Sequence, residues 1–144
     1  KYKNLFFSFS VFLILYLSFN ILVQERYLFF FIISLSFTND TLAFFSGKFF
    51  KGPLIVPKIS PKKTWSGTLI SIIFIFLILI FLEYDYLFSL LVSVSFFLGD
   101  ILFSYFKRQQ NIKDFSNLLK GHGGFLDRFD SIFFPIFLFN IYII

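Results

Sequence analysis

Apolar residues run along this chain in long blocks separated by short polar stretches. Five blocks, at about 4–23, 27–47, 66–82, 86–106 and 129–144, each approach the roughly 20 residues a helix needs to cross a bilayer. The third is the purest, with no charge between Ser66 and Leu82. The blocks are too long, and alternate too little, for the strands of an outer-membrane barrel. The pattern predicts an all-α fold: one polytopic membrane domain over 1–144 with about five transmembrane helices. The first block lacks a small-residue cleavage site and reads as a retained helix, not a signal peptide. The chain opens on Lys1 rather than Met, so the expectation is the C-terminal part of a longer helical bundle.

The polar stretches carry the charge unevenly. The stretch at about 48–65 holds Lys48, Lys51, Lys58, Lys62 and Lys63 and no acid, and that at about 107–128 holds Lys107, Arg108, Lys113, Lys120 and Arg128. Lys1 and Lys3 precede the first block, whereas the connections at 24–26 and 83–85 are near neutral and acidic. By the positive-inside rule, the N-terminus and both long loops face the cytoplasm.

Composition sharpens this. Hydrophobic residues make up 58% of the 144, with 28 phenylalanines, and charged residues only 15%, against about 25% in soluble domains. A soluble protein of this size has too little interior for so much apolar surface, so an integral membrane protein is expected. The absence of cysteine excludes disulfides and thiolate metal sites. A single histidine argues against zinc, leaving oxygen-ligated magnesium, calcium or manganese. The net charge of +5 sits in inter-helix loops, which points to headgroups or phosphates and not to nucleic acid.

Two acids fall inside apolar blocks. Asp40 lies seven residues before Gly47, and Asp100 seven before Lys107. At 1.5 Å per residue, both carboxylates lie roughly 10 Å below the same face. An acid at such depth is functional by default, and matched depth suggests a shared polar cavity. The plainer alternative is that each merely hydrogen-bonds a neighbouring helix.

The stretch from Ser104 to Asp130 concentrates the remaining chemistry. Gly121-His122-Gly123-Gly124 can present backbone N–H groups to phosphate, and Leu126-Asp127-Arg128-Phe129-Asp130 opens the fifth helix, whose N-terminus adds further donors. Asp127 and Asp130, three residues apart, share a helical face and form a plausible magnesium site. Singly, these acids also read as helix caps, His122 as a turn residue, and Lys107-Arg108 as an interfacial anchor.

Together these residues resemble the signature of the phosphatidate cytidylyltransferase (CDP-diacylglycerol synthase) family. The matching positions are Ser104, Lys107-Arg108, Lys113-Asp114, His122-Gly123-Gly124, Asp127-Arg128 and Asp130, preceded by Gly99-Asp100. Upstream, Asp40-Thr41-Leu42-Ala43-Phe44 resembles the family's Asp-Thr/Ser-x-Ala-Tyr helix, and Ser60-Pro61-Lys62-Lys63-Thr64-Trp65-Ser66-Gly67 its Ser-Pro-x-Lys-Thr-x-x-Gly loop. The departures are Lys120, Phe44 for the usual Tyr, and Phe103 where many members have Glu. Members usually carry several more helices before this region.

The resemblance implies a nucleotidyltransferase. A lipid phosphate attacks the α-phosphorus of CTP and expels pyrophosphate, giving CDP-diacylglycerol. It implies Asp100 and Asp127 as metal ligands, with Asp130 beside them, for Mg2+ alone or with a second cation. Lys107, Arg108, Lys113 and Arg128 are expected at the CTP phosphates, with Gly123, Gly124 and the His122 ring N–H positioning phosphate. Ser60, Lys62, Lys63 and Thr64 are expected at lipid phosphate or nucleotide. Asp40 is read as tuning the cavity or orienting Lys113, and Asp114 as part of the signature. The partners implied are CTP and phosphatidate in the bilayer, with a homodimer suggested by analogy. The location implied is a bacterial inner membrane, with the site facing the cytoplasm. Three other readings remain: a relative acting on another lipid phosphate, a transporter built on Asp40 and Asp100, and an inactive scaffold. CTP binding separates the enzymes from the rest.

Overall fold

The computed structural model describes residues 2–57, 59–109 and 129–143. Within them, five helices follow one another: α1 (Tyr2–Gln24), α2 (Arg26–Phe50), α3 (Trp65–Phe81), α4 (Tyr86–Gln109) and α5 (Phe129–Ile143). The fold is thus all-helical but for one element. Between α2 and α3, the stretch expected as plain loop forms a two-stranded antiparallel hairpin, β1 (Leu54–Val56) and β2 (Ser60–Thr64). Leu54 pairs with Thr64 and Val56 with Ser60, with an irregularity between the two pairs. The short apolar run Leu54-Ile55-Val56 supplies the β-propensity, and Pro61 is accommodated because a two-stranded sheet has only edges.

Local chemistry sets the joints. Lys51 closes α2 in the left-handed region, φ 47°, its N–H donating to the Gly47 carbonyl. Thr64 ends β2 and caps α3, its Oγ1 accepting from the Gly67 N–H at 3.2 Å. That hydroxyl satisfies one of the donors a helix start leaves free. α2 and α3 then pack backbone to backbone. A Cβ on Gly67 would strike the Ala43 carbonyl oxygen and lie 3.1 Å from the Gly47 Cα, so this crossing requires glycine.

The core is a column of Ile21, Ile32, Leu35, Ile75, Leu79, Val92, Phe96, Ile132, Ile136 and Phe139, drawn from all five helices. Polar contacts tie the helices together inside it. Asn20 Nδ2 donates to Asn140 Oδ1 at 3.3 Å, joining α1 to α5. Ser36 and Ser131 share a 2.6 Å hydrogen bond, joining α2 to the first turn of α5. At the end opposite the hairpin, Tyr84, Phe88, Phe139 and Tyr142 form an aromatic cluster, with Phe88 and Tyr142 stacked at 4.2 Å. Burial, and then the neighbouring Tyr142, raise the Tyr84 phenol above its ordinary range.

Large apolar side chains also cover much of the outward surface. Phe12, Phe19, Phe30, Phe37, Ile73 and Leu77 all stand exposed, a face soluble monomers avoid. α2 and α4, at 25 and 24 residues, are long and apolar enough to cross a membrane. These features are consistent with a membrane protein.

Candidate active site

A cavity of about 280 Å³ opens between α2, α3, α4 and the start of the α3 cap, lined by Asn39, Asp40, Ala43 and Phe44 of α2, Lys63 and Thr64 of β2, Thr68 and Ser71 of α3, and Phe97 and Asp100 of α4. The two acids set at one depth in the sequence therefore face the same space. The Gly47–Gly67 crossing brings α2 against α3, and the Thr64 cap fixes where β2 ends, so Lys63 enters the cavity from the hairpin side. Its Nζ lies 2.5 Å from Asp100 Oδ2. The ion pair places a cation against a carboxylate that would otherwise be costly at this depth. Asp40 is also engaged by neighbouring groups.

The other expected site residues within the described part lie on β2, α4 and α5. Ser60 and Lys62 lie in β2. Lys107 is buried at the end of α4 and has contacts of its own. Arg108 is occupied differently from the phosphate role assigned to it: its Nε donates to the Ile59 carbonyl at 3.1 Å, holding the hairpin turn against α4. The terminal guanidinium nitrogens are what an anion would meet. Asp130 lies in the first turn of α5, next to Ser131, which is bound to Ser36 one turn before Asp40 on α2. Lys113, Asp114, His122, Gly123, Gly124, Asp127 and Arg128 lie outside the described residues.

Sequence reasoning passed over three lining residues. Asn39 counts there only as a polar neighbour of Asp40, and Thr68 and Ser71 disappear into the purest apolar block. The available signal was helical spacing: Thr64, Thr68 and Ser71 recur at intervals of four and three, which marks one face of α3. Among the described residues, no three acids or histidines gather closely enough to hold a metal ion. The carboxylates facing the cavity are Asp40 and Asp100.

Two carboxylates and a lysine from a hairpin, gathered at one cavity of an apolar helical bundle, form a charged centre suited to handling a phosphate ester. Residues 3–144 match the cytidylyltransferase family, and the chain belongs to that family. Among similar proteins, a phosphatidate cytidylyltransferase of Rickettsia conorii is 38% identical, the match covering 72% of this chain and 54% of the relative. One of Rickettsia bellii is 46% identical, over 69% of this chain and 51% of the relative. One of Aquifex aeolicus is 42% identical, over 80% of this chain and 47% of the relative. The chain spans about half the length of the curated relatives it matches.

Proposed function

We propose that this chain carries the catalytic region of a CTP:phosphatidate cytidylyltransferase, making CDP-diacylglycerol and pyrophosphate for phospholipid synthesis. The observation that carries the reading is the Lys63–Asp100 pair, because it joins the two signature segments, Ser-Pro-x-Lys-Thr and Gly-Asp, at one cavity. The family match supports the same reaction over a transport role for Asp40 and Asp100.

The chemistry explains the residue types. A phosphomonoester is largely ionised at neutral pH, its second pKa being about 6, so its oxygen attacks the α-phosphorus of CTP without a strong base. The P–O bond to pyrophosphate breaks as the new P–O bond forms. The obstacle is repulsion between two anions, which fixed cations must offset. Lys63, with Ser60, Lys62 and Thr64, is assigned to the phosphate of the lipid or nucleotide. Lys107, Lys113, Arg128 and the outer nitrogens of Arg108 are assigned to the triphosphate, and His122, Gly123 and Gly124 to positioning it.

Mg2+ fits the donor chemistry: the set is all oxygen, and a cation, the Lys63 ammonium, already stands against Asp100. Asp100, Asp127 and Asp130 are assigned to hold it, where it supplies charge neutralisation to the triphosphate. Five membrane-spanning helices, a cytoplasmic site in a bacterial inner membrane and a homodimer complete the proposal.

The test is formation of CDP-diacylglycerol from labelled CTP and phosphatidate in membranes expressing this chain, with and without Mg2+. Magnesium-dependent product above an Asp100→Asn control is expected. No product in the presence of both substrates and Mg2+ overturns the reading for this chain.

A further inference from the structure

The cavity has two chemically different ends, and only one is used by the reaction described above. Lys63 and Thr64 mark the hairpin end. The depth of the other end follows from the α2–α3 crossing. Gly67 faces the Ala43 carbonyl, and the two helices run antiparallel, so Asn39 and Ser71, each four residues further on, lie level with each other and about 6 Å deeper. Asn39 is only 4% exposed, yet it lines the cavity. Its side-chain amide opens onto the cavity and is not among the sealed polar atoms that lack a partner. Ser71, by contrast, donates to the Thr68 carbonyl at 3.0 Å. An amide that opens onto a cavity can pair with whatever occupies it, and a ligand group that accepts from it gains a hydrogen bond there.

The walls at this level indicate which ligand. Ala43, Phe44 and Phe97 line the same cavity, and Phe44 is 63% exposed on the outer apolar surface. Asp40, Asp100 and Lys63 line this cavity too, and at Phe44 it is bordered by the surface that faces acyl chains. A cytosine ring could stack on either phenylalanine, but a nucleotide gains nothing from a wall that continues onto the outer apolar surface, as Phe44 does. A glycerolipid matches the sequence of environments: phosphate at the lysine, ester carbonyls just below it, then hydrocarbon. We propose that the Asn39 amide donates to an ester carbonyl of the lipid acceptor, so that the site distinguishes ester-linked from ether-linked lipid phosphates. This rests on the proposed function and adds a specificity-determining residue to it.

The test compares diacyl phosphatidate with its dialkyl ether counterpart, which lacks the carbonyls. Each displaces a fluorescent phosphatidate from the detergent-solubilised full chain, without CTP. For the unmodified chain, the ether lipid should bind about fivefold to tenfold more weakly, the value of one hydrogen bond. Asn39→Leu, nearly isosteric, should weaken diacyl binding by the same factor, leave ether binding unchanged, and so erase the preference. In turnover, the variant should raise KM for diacyl phosphatidate and leave KM for CTP unchanged. Equal binding of the two lipids by the unmodified chain overturns the proposal, and that comparison needs no variant to fold. A variant that loses both lipids equally, or that shifts KM for CTP, also overturns it. Binding is read without nucleotide, so absent turnover strikes at the cytidylyltransferase reading, whereas an absent ester preference strikes at Asn39.

Discussion

Lys63 Nζ lies 2.5 Å from Asp100 Oδ2, so a lysine from the hairpin and an acid from the middle of α4 share one site. Both side chains remain partly open, at 26% and 21% exposure. The cavity leaves both groups open to water on one side, so the pair contributes less to stability than a sealed one would.

Lys63→Met should therefore separate activity from folding. Turnover is expected to fall by about 10²–10³, the scale of losing one preorganised group that meets developing charge. The melting temperature in detergent should stay nearly constant. The paired measurement is CDP-diacylglycerol formation and thermal unfolding on the same preparation. A large loss of melting temperature with a proportional loss of activity would mean that the pair only holds the hairpin.

The metal assignment predicts a second pattern. Chelation should abolish turnover, and added Mg2+ should restore it. Asp127→Asn should abolish turnover at any Mg2+ concentration while leaving membrane insertion intact. Near-normal turnover in Asp127→Asn would remove that residue from the metal site.

Much of this arrangement was legible in the sequence, and the rest was hidden for physical reasons. The apolar blocks give the helices because a bilayer-length run of Phe, Leu and Ile has few other outcomes. The matched depths of Asp40 and Asp100 follow from counting residues to Gly47 and Lys107. The hairpin was not legible. Leu54-Ile55-Val56 is too short to stand out, and Pro53, Pro57 and Pro61 read as loop punctuation. Nor does sequence choose Lys63 over Lys62 as the partner of Asp100, because a whole helix separates them and the choice depends on the pleat of β2. Asn39 was masked by Asp40, since the charged neighbour draws the functional reading to itself.

The α2–α3 crossing makes a sharper structural prediction. Gly67→Ala puts a methyl group against the Ala43 carbonyl oxygen, near the Gly47 Cα. Backbone cannot yield as a flexible side chain does, so a destabilisation of about 1–3 kcal/mol is expected, the usual cost of overpacking. Because the crossing also sets the depth of Asn39 against Ser71, lipid KM should rise with it. Thermal unfolding and initial rates on Gly67→Ala check both effects.

Thr64→Val tests the joint between hairpin and α3. It keeps the shape and removes the hydroxyl that accepts from the Gly67 N–H. Loss of such a cap costs about 1 kcal/mol. Thr64→Ser should retain the cap and most of the stability. Equal melting temperatures for Thr64→Val and the unmodified chain would show that the cap contributes nothing there.

The Ser36–Ser131 hydrogen bond predicts coupling between α2 and the start of α5. Both residues are essentially buried, at 1% and 0% exposure, and Asp130 immediately precedes Ser131. Removing the Ser131 hydroxyl takes away the partner of Ser36 inside an apolar bundle, which costs about 1–3 kcal/mol. Removing both removes the stranded group as well. Ser36→Ala with Ser131→Ala should therefore cost less than the two single changes added together, the signature of a direct interaction in a double-mutant cycle. The same cycle run on the Mg2+ concentration needed for half-maximal turnover reads the functional side. If α5 presents Asp130 to the metal, loosening its first turn raises that concentration in either single variant. Strict additivity in stability, with no change in Mg2+ requirement, would mean that the α5 start is held by other contacts.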